Sequence, residues 1–402
     1  MELLRKLSRG CFRNSFKKGQ KVEIESVNDG EDVFDAASAK AKLQPEHLVI
    51  MVNGLIGRNL LIVKQYDFDI CDFLDSFVLA SLFTFVLRIL VTMMDWDFTG
   101  SADWRYAAEQ FVKRLPDKIV VHCSECNSSR LTFDGVDRMG ERLAKEVEDV
   151  IKRWPGVRKI SFVAHSLGGL VARYAIGRLY ERPTKTEIVD LNGSCLVREE
   201  NVSSEETVAG LEPVNFITVA TPHLGSRGNK QLPLLCGLPL LEKGASQTAH
   251  WIVGRSGKHL FLTDKDNGKP PLLLRMVNDS DDLKFMSGLC SFKRRVAYAN
   301  ANYDHVVGWR TSSIRRQNEL PKSNLQIKDQ KYPHIVNVEK VYDKVSSLEA
   351  KKMDDLEEEM IEGLTQVPWE RIDVSFHESR QRYVAHNTIQ ASFRFIILAG
   401  IF

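Results

Sequence analysis

The sequence SFVAHSLGGL at residues 161–170 holds the strongest structural signal of the chain. An apolar, β-branched run leads into Ser166, and Ala164 and Gly168 place small residues two positions before and after the serine. This pattern predicts a strand that turns sharply at Ser166 and continues as a helix. Such a turn presents the hydroxyl at a helix N-terminus, where negative charge is stabilised, so Ser166 is predicted to be a nucleophile. The alternative is a glycine-rich strand-to-helix connection without chemistry.

The sequence around this motif predicts an alternation of strands and helices. Apolar runs bounded by turn residues predict the strands, and stretches with helical periodicity lie between them. The predicted strands are 47–53, 118–122, 159–163, 215–220, 294–299 and 372–376, and the predicted helices are 102–115, 135–153 and 167–179. This alternation indicates an α/β protein with a mostly parallel central sheet flanked by helices. Together with the turn at Ser166, it predicts the α/β-hydrolase fold.

Three other stretches have less regular patterns. The stretches 189–211 and 236–274 have no clear periodicity and are interpreted as cap-like or surface excursions from the domain. The segment 337–362 is dense in charge and is predicted to be helical. Its acidic run at 354–359 is interpreted as a solvated helix face.

A serine nucleophile requires an oxyanion hole, formed by two backbone N–H groups aimed at the developing negative charge. The amide of Leu167, directly after the nucleophile, is predicted to be one donor. The second donor normally comes from the loop after an early strand, and here we assign it to the Leu55 amide. Asn53 and Gly54 precede Leu55 on this loop and are expected to line the site.

The acid and the base of a catalytic triad follow the serine along the chain, in that order, in this fold. Asp304 comes after the strand 294–299 and is the predicted acid, with a turn-forming or capping role as the alternative. His386 lies beyond the last predicted strand and is the predicted base. His377 and His305 stay open as alternative bases, although His305 is the direct neighbour of Asp304 and is poorly placed to pair with it.

Two other histidines are expected near the site. His165 directly precedes the nucleophile and is expected to line the site. His223 lies in the segment TPHLGS at 221–226, in which Pro222 and Gly225 indicate a rigid loop at the same sheet edge. We expect His223 to be a structural residue or a residue that lines the substrate site, rather than one that reacts.

The composition narrows the classes of function. The 402 residues include 55 Lys and Arg and 53 Asp and Glu, and the net charge of +2 gives no field that would attract nucleic acid. The seven cysteines are odd in number and irregular in spacing, which favours reduced thiols in the cytoplasm over a disulfide framework. The single CxxC at Cys123 and Cys126 lacks the further ligands of a structural zinc site. We therefore expect no metal and no organic cofactor.

The chain is predicted to be organised around one domain at 45–390. Residues 1–44 form a basic leader that we expect to be disordered, and organelle targeting by this leader stays open. An apolar insertion at 58–100 interrupts the domain, and an apolar tail follows at 391–402. Within the insertion, 77–94 is an apolar stretch with a single charged residue. A membrane span, docking on a lipid surface and a buried helix are all open for this stretch.

Seven stretches of the sequence together resemble one known family. They are HLVIMVNGLIG, SADWRYAAEQF, LTFDGVDRMGERLAKEV, SFVAHSLGGLVARYAIG, ITVATPHLGS, YDHVVGWRTSSI and VSFHESRQRYVAHNTIQ. They resemble the serine esterase or lipase-like family of α/β hydrolases known as DUF676, in its plant-type form, over about residues 45–56 and 101–390. The resemblance implies hydrolysis of esters, with acyl lipids as the substrate class. It supports Ser166, Asp304 and His386 as the triad.

The insertion at 58–100 and the tail at 391–402 depart from the family pattern, and we hypothesise that both are translations of retained introns. An insertion that displaces Gly54 and Leu55 would disrupt the oxyanion loop. Because the loss of one oxyanion donor costs about 100- to 1000-fold in rate, the alternative function is a catalytically impaired lipid-binding or scaffold protein. An acyltransferase that uses the same triad is a third possibility.

Overall fold

The computed structural model describes residues 33–34, 45–55, 104–182, 206–226, 254–265, 268–321, 332–340 and 355–391. The insertion at 58–100 with its apolar stretch 77–94, most of the leader and residues 392–402 lie outside these described residues. The predictions made for those parts therefore stay predictions. None of the helices in the described ranges is long and apolar enough to cross a membrane.

Six of the strands in the described residues lie on the six apolar runs predicted from the sequence. The strands are β1 (Val33–Phe34), β2 (His47–Val52), β3 (Ile119–Cys123), β4 (Lys159–His165), β5 (Tyr180–Glu181), β6 (Thr207–Val208), β7 (Glu212–Val219), β8 (Arg294–Asn300), β9 (Ile335–Lys340) and β10 (Glu370–Val374). Eight of them form one sheet in the order β1-β3-β2-β4-β7-β8-β10-β9. The six central strands, β3, β2, β4, β7, β8 and β10, are parallel to one another. The edge strands β1 and β9 pair antiparallel with β3 and β10. Strands β5 and β6 form a separate antiparallel pair.

All of the helices but the last lie between strands along the described chain. The helices are α1 (Arg105–Arg114), α2 (Val136–Arg153), α3 (Gly168–Leu179), α4 (Leu272–Arg275), α5 (Phe285–Cys290), α6 (Trp309–Ser313), α7 (Asp355–Leu364) and α8 (Ala385–Ala391). Residues 254–260 are helical as well. Short 3₁₀ helices span Ser129–Phe133, Gln317–Glu319 and Arg380–Val384.

The sheet separates two hydrophobic cores, because successive side chains point to opposite faces of a strand. On β2, Leu48 and Ile50 contribute to one core, and Val49 and Met51 contribute to the other. Helices α2, α3, α5 and α7 cover the first face, whereas α1 and α8 cover the second. Burial of both faces explains why these strands are nearly continuous in apolar residues. The predicted mostly parallel sheet flanked by helices, which is the α/β-hydrolase architecture, is confirmed.

Several predictions about local structure are wrong. The start of the segment 337–362 belongs to strand β9, not to a helix, and β9 pairs antiparallel with β10. As an edge strand it is only partly buried, so the polar residues Asn337, Glu339 and Lys340 interrupt its apolar pattern. In the acidic run, Glu357 is only 5% exposed and accepts from Arg310 at 2.6 Å. It is therefore not part of a solvated face.

Two other segments also depart from their predicted character. Residues 272–274, at the end of the excursion 236–274, are buried in the first core and do not form a surface segment. Val33–Phe34, within the leader that we expected to be disordered, pairs with β3. Both segments have short apolar sequences whose partners are far away along the chain. Local pattern could not identify those partners.

A buried ion network joins β9 and β10 to the end of helix α6. The fully buried Arg315 donates to Asp373 at 2.8 Å and to Glu339 at 2.7 Å. Asp373 is also fully buried and accepts from Trp309 Nε1 at 2.7 Å and from Asn337 Nδ2 at 2.9 Å. A buried charge is tolerated when its partners are present and its remaining atoms are hydrogen-bonded. The network therefore fixes this edge of the sheet.

Candidate active site

Ser166 lies in the sharp turn between β4 and α3. Its φ is +54°, in the left-handed region that residues other than glycine seldom adopt. Its amide donates to the Val219 carbonyl at 2.9 Å, which ties the turn to β7. Glycine is required at 168, because a Cβ atom there would come within 2.4 Å of the Asn53 carbonyl oxygen. The small residues of the motif therefore allow the nucleophile turn and the loop after β2 to approach each other closely.

A continuous chain of hydrogen bonds joins Ser166, His386 and Asp304. The Nε2 atom of His386 lies 3.0 Å from the Ser166 hydroxyl oxygen, and its Nδ1 atom lies 3.0 Å from Asp304 Oδ2. An ionised carboxylate can only accept, so the proton of the neutral imidazole is on Nδ1. Nε2 is then left with its lone pair toward the hydroxyl. The structure thus brings together the three residues that the sequence predicted as a triad.

Asp304 is held as an anion by its surroundings. Burial alone would raise its pKa, but the nearby His386 and the hydrogen bonds from His386, Val307 and Asn300 together hold this pKa below its ordinary value. The amides of Val306 and Val307 donate to Oδ1 at 3.0 and 2.8 Å, and Asn300 Nδ2 donates to Oδ2 at 2.8 Å. A carboxylate with this many donors is both charged and fixed in orientation.

The loop after β2 lies directly against Ser166. A Cβ atom built on Gly54 would be 2.6 Å from Ser166 Cβ and 3.2 Å from Ser166 Oγ. Among the described residues, neither the Leu55 amide nor the Leu167 amide donates a hydrogen bond. Leu167 directly follows Ser166 in the chain, and Leu55 directly follows Gly54, which lies against Ser166 in space. Both amides are therefore close enough to Ser166 to suit the oxyanion donors that we predicted. This close contact is contrary to the loop displacement on which the impaired-protein alternative depends.

The loop is also tied to the helix that carries His386. Gln390 Nε2 donates to Asn53 Oδ1 at 3.3 Å, so the last described helix reaches back to the first loop of the site. Asn53 is partly buried at this contact. The Asn53 side chain, which was expected to line the site, therefore has a hydrogen-bond partner on α8.

His165 is buried beside Ser166 and contacts His386. Its side chain is 5% exposed, and its Nε2 atom lies 2.8 Å from the carbonyl oxygen of His386. The two imidazole rings have centroids 4.8 Å apart and are tilted by 47°. Burial and the adjacent His386 lower the pKa of His165 to about 3. The ring is therefore neutral at physiological pH.

The other three histidines considered in the sequence are not brought to Ser166. His223 is fully buried, hydrogen-bonds Thr218 Oγ1 at 2.9 Å and packs edge-on against Trp369. Of its two expected roles, the structural one fits and the site-lining one is wrong, because the ring is enclosed in the core. His377 is exposed and stacks on Tyr303. His305 is partly exposed on the loop that follows Asp304.

Of the two CxxC cysteines, Cys126 is a free thiol and Cys123 is buried. Cys126 is partly buried, and burial together with the nearby Glu146 raises the pKa of its thiol. A thiol with a raised pKa is a poor nucleophile and a poor metal ligand. No group of three or more His, Cys, Asp or Glu residues within the described ranges could hold a metal ion.

Asn300 is a site residue that sequence reasoning missed. It is the last residue of β8, and its Nδ2 donates to Asp304 Oδ2 and also to the Ala385 carbonyl at 3.2 Å. It therefore links Asp304 to Ala385, the residue that precedes His386. The one available signal was its place at the carboxyl end of a strand that leads into Asp304, where functional side chains gather in open α/β sheets.

The fold and this site define the class of the protein. A mostly parallel sheet with a serine in a strained strand-to-helix turn, hydrogen-bonded to a histidine and through it to an aspartate, is the architecture of the α/β hydrolases.

The family of the chain is identified by a match to residues 87–314, more than half of its length, and its description is "Putative serine esterase (DUF676)". The chain belongs to this family. The predicted family and the predicted class, an esterase or lipase among the serine hydrolases, are confirmed. The match includes Ser166 and Asp304 but ends before His386, and it begins after the loop with Leu55.

Two relatives from Saccharomyces cerevisiae are similar over 53% of this chain. "Putative lipase ROG1" is 33% identical over 221 residues, which are 26% of its own length. "Putative lipase YDL109C" is 30% identical over 217 residues, which are 28% of its own length. The chain thus spans about a quarter of the length of these relatives. Among solved structures, the mature form of the Bacillus licheniformis lipase BlEst2 aligns at 14% identity, covering 67% of this chain and 71% of that one, with a TM-score of 0.32.

Proposed function

We propose that this protein hydrolyses carboxylic esters of acyl lipids through an acyl-enzyme on Ser166, with His386 as the base and Asp304 as the acid of the triad. The observation that carries the proposal is the unbroken pair of 3.0 Å contacts from Asp304 to His386 and from His386 to Ser166. These are the distances that a nucleophile and its base need for proton transfer.

In the first step, Ser166 Oγ attacks the ester carbonyl carbon while His386 Nε2 takes the hydroxyl proton. The carbonyl oxygen becomes an oxyanion, which the amides of Leu55 and Leu167 stabilise. The tetrahedral intermediate collapses, the carbon–oxygen bond to the alcohol breaks, and His386 returns the proton to the departing alkoxide. Water then repeats the sequence on the acyl-enzyme, which releases the carboxylic acid and restores Ser166.

The charges around His386 support this use of its ring. Asp304 stays ionised because its hydrogen bonds hold its pKa low, so it stabilises the imidazolium that forms in each step. His165, the ring closest to His386 among the interactions described above, is neutral because burial lowers its pKa to about 3. It therefore places no opposing charge beside the imidazolium.

The preference for acyl lipids rests on the relatives and not on the geometry of the triad. The two relatives named above carry the name "Putative lipase", and this chain is 30% and 33% identical to them over 217 and 221 residues. Because the shared region is about a quarter of their length, the substrate class of this chain is part of the proposal.

The test is a panel of p-nitrophenyl esters from acetyl to palmitoyl, with purified parent protein and Ser166→Ala side by side. We expect hydrolysis by the parent, a preference for the longer acyl groups, and a fall of about 10⁴-fold or more in kcat for Ser166→Ala. Equal hydrolysis by both proteins would show that Ser166 is not the nucleophile. Turnover restricted to acetyl esters would remove the lipid part of the proposal and leave the esterase part.

A further inference from the structure

The helix that carries His386 is too short to fix its own position. Helix α8 has seven residues, Ala385–Ala391, and helices this short are marginal unless tertiary contacts hold them. Its apolar side is anchored by Ala385 and Ile389, both fully buried in the second core. These contacts hold the helix against the sheet, but apolar packing is not directional. Directional contacts are needed to set the angle of the imidazole toward Ser166.

Two side chains supply such contacts at the start of α8. Asn300 donates to the Ala385 carbonyl at 3.2 Å, and His165 donates to the His386 carbonyl at 2.8 Å. A carbonyl oxygen can only accept, so the His165 Nε2 atom carries the proton. The ring is buried and uncharged, and this hydrogen bond therefore persists across the pH range in which an esterase works.

The contact from His165 closes a small ring of interactions. His165 is joined by a peptide bond to Ser166, its imidazole holds the backbone of His386, and the His386 side chain reaches back to the Ser166 hydroxyl at 3.0 Å. The nucleophile and its base are thus connected by the side chain of the residue directly before the nucleophile. The relative position of Ser166 and His386 therefore depends on this one side-chain contact as well as on the packing of the fold.

We propose that His165 is a positioning residue for the triad, whose Nε2–H holds the His386 carbonyl and so sets the approach of the His386 ring to Ser166. The proposal rests on the proposed function, because it assigns His165 a role in that same site. A neutral donor is required at this position. A lysine or arginine would place a positive charge beside the imidazolium that forms during the reaction and would oppose its formation.

The experiment compares three substitutions of His165 that separate the donor from the ring. His165→Phe keeps a ring against His386 and removes the donor. His165→Gln places an amide nitrogen near the position of Nε2 and keeps the donor. His165→Asn keeps a polar amide but holds it nearer to the backbone, where it cannot reach the carbonyl.

We expect His165→Phe and His165→Asn to lower kcat for a p-nitrophenyl ester by about 10- to 100-fold with KM unchanged, because a small misplacement of a catalytic group has this effect. His165→Gln should recover most of the rate. The unfolding midpoint of each variant reports whether it is folded, and rates are compared per folded molecule. Parental kcat in folded His165→Phe would overturn the proposal, as would equal loss in His165→Gln and His165→Asn.

A second readout does not depend on activity. In protein labelled with ¹⁵N-histidine, the proton on Nδ1 of His386 should give a downfield resonance, because it is shared with the Asp304 carboxylate. We expect this resonance to shift or to exchange faster in His165→Phe and His165→Asn and to persist in His165→Gln. An unchanged resonance in His165→Phe would overturn the proposal. The parent protein could hydrolyse no ester while the variants still change the His386 resonance as expected. That result would refute the proposed function but would support the positioning contact.

Discussion

The substitution Gly54→Ala tests the oxyanion loop by steric contact alone. Gly54 has no positive φ, so its backbone suits alanine, and the added methyl group is the whole perturbation. That methyl carbon would stand 2.6 Å from Ser166 Cβ and 3.1 Å from the His165 carbonyl oxygen. Carbon atoms in contact normally lie about 3.5–4.0 Å apart, so the two backbones must separate by about 1 Å.

The loop has more freedom to move than the nucleophile. Ser166 is held by β4, by α3 and by its hydrogen bond to Val219, whereas Gly54 lies beyond the end of β2. A shift of about 1 Å moves the Leu55 amide away from the oxyanion, and misplacements of this size or the loss of one donor cost about 100-fold in rate. We therefore expect kcat to fall about 100-fold while KM changes little.

The assay is steady-state hydrolysis of one p-nitrophenyl ester, with thermal unfolding of each protein as a check on folding. Gly210→Ala is the matched control. Gly210 lies in the turn before β7, at the amino-terminal ends of the parallel strands, whereas Ser166 lies at their carboxyl ends. A Cβ atom at Gly210 meets no atom within 4 Å. Because its φ is +73°, alanine should cost about 1–2 kcal/mol of stability without a change in kcat. A folded Gly54→Ala protein with parental kcat would refute the assignment of this loop to the oxyanion hole.

Three further predictions follow from buried polar groups. Asp304→Asn should lower kcat about 10⁴-fold, because an amide can hold His386 in the wrong tautomer; a stopped-flow burst of parental rate would contradict this. Burial lowers the pKa of His47 to about 4 from its ordinary value of 6.5. Stability is therefore lost as pH falls from 6.5 through about 4, and calorimetry should find a shallower fall of Tm in His47→Gln. Arg315→Met should lower the free energy of unfolding in urea by about 3–5 kcal/mol, since Asp373 loses its buried cation; a loss under about 1 kcal/mol would contradict the role of that pair.

The central strands could be predicted because they are buried on both faces and therefore apolar throughout. Strand β4 was expected at 159–163 and spans Lys159–His165, and β8 was expected at 294–299 and spans Arg294–Asn300. Strand β9 could not be recognised in this way, because its place at the edge of the sheet allows the polar residues Asn337, Glu339 and Lys340 to interrupt its apolar pattern. A strand is therefore easier to recognise in the sequence when both of its faces are buried.

The triad could be proposed from chain order and strand ends, because parallel strands bring their carboxyl ends to one edge of the sheet. The contacts of His165 and Asn300 could not, since each depends on where the short helix α8 docks against the sheet. The enclosure of His223 by Thr218 and Trp369 is also a result of packing. Long-range contacts of single side chains have no signature in a local pattern.

Covalent labelling can locate the reactive residue of this protein directly. The parent protein, Ser166→Ala and His386→Ala are treated with a fluorophosphonate and digested, and the modified peptide is identified by mass spectrometry. We expect one adduct on Ser166 in the parent, none in Ser166→Ala, and strongly slowed formation in His386→Ala. An adduct on another serine, or a folded parent that forms none, would contradict the claim that Ser166 is an activated nucleophile.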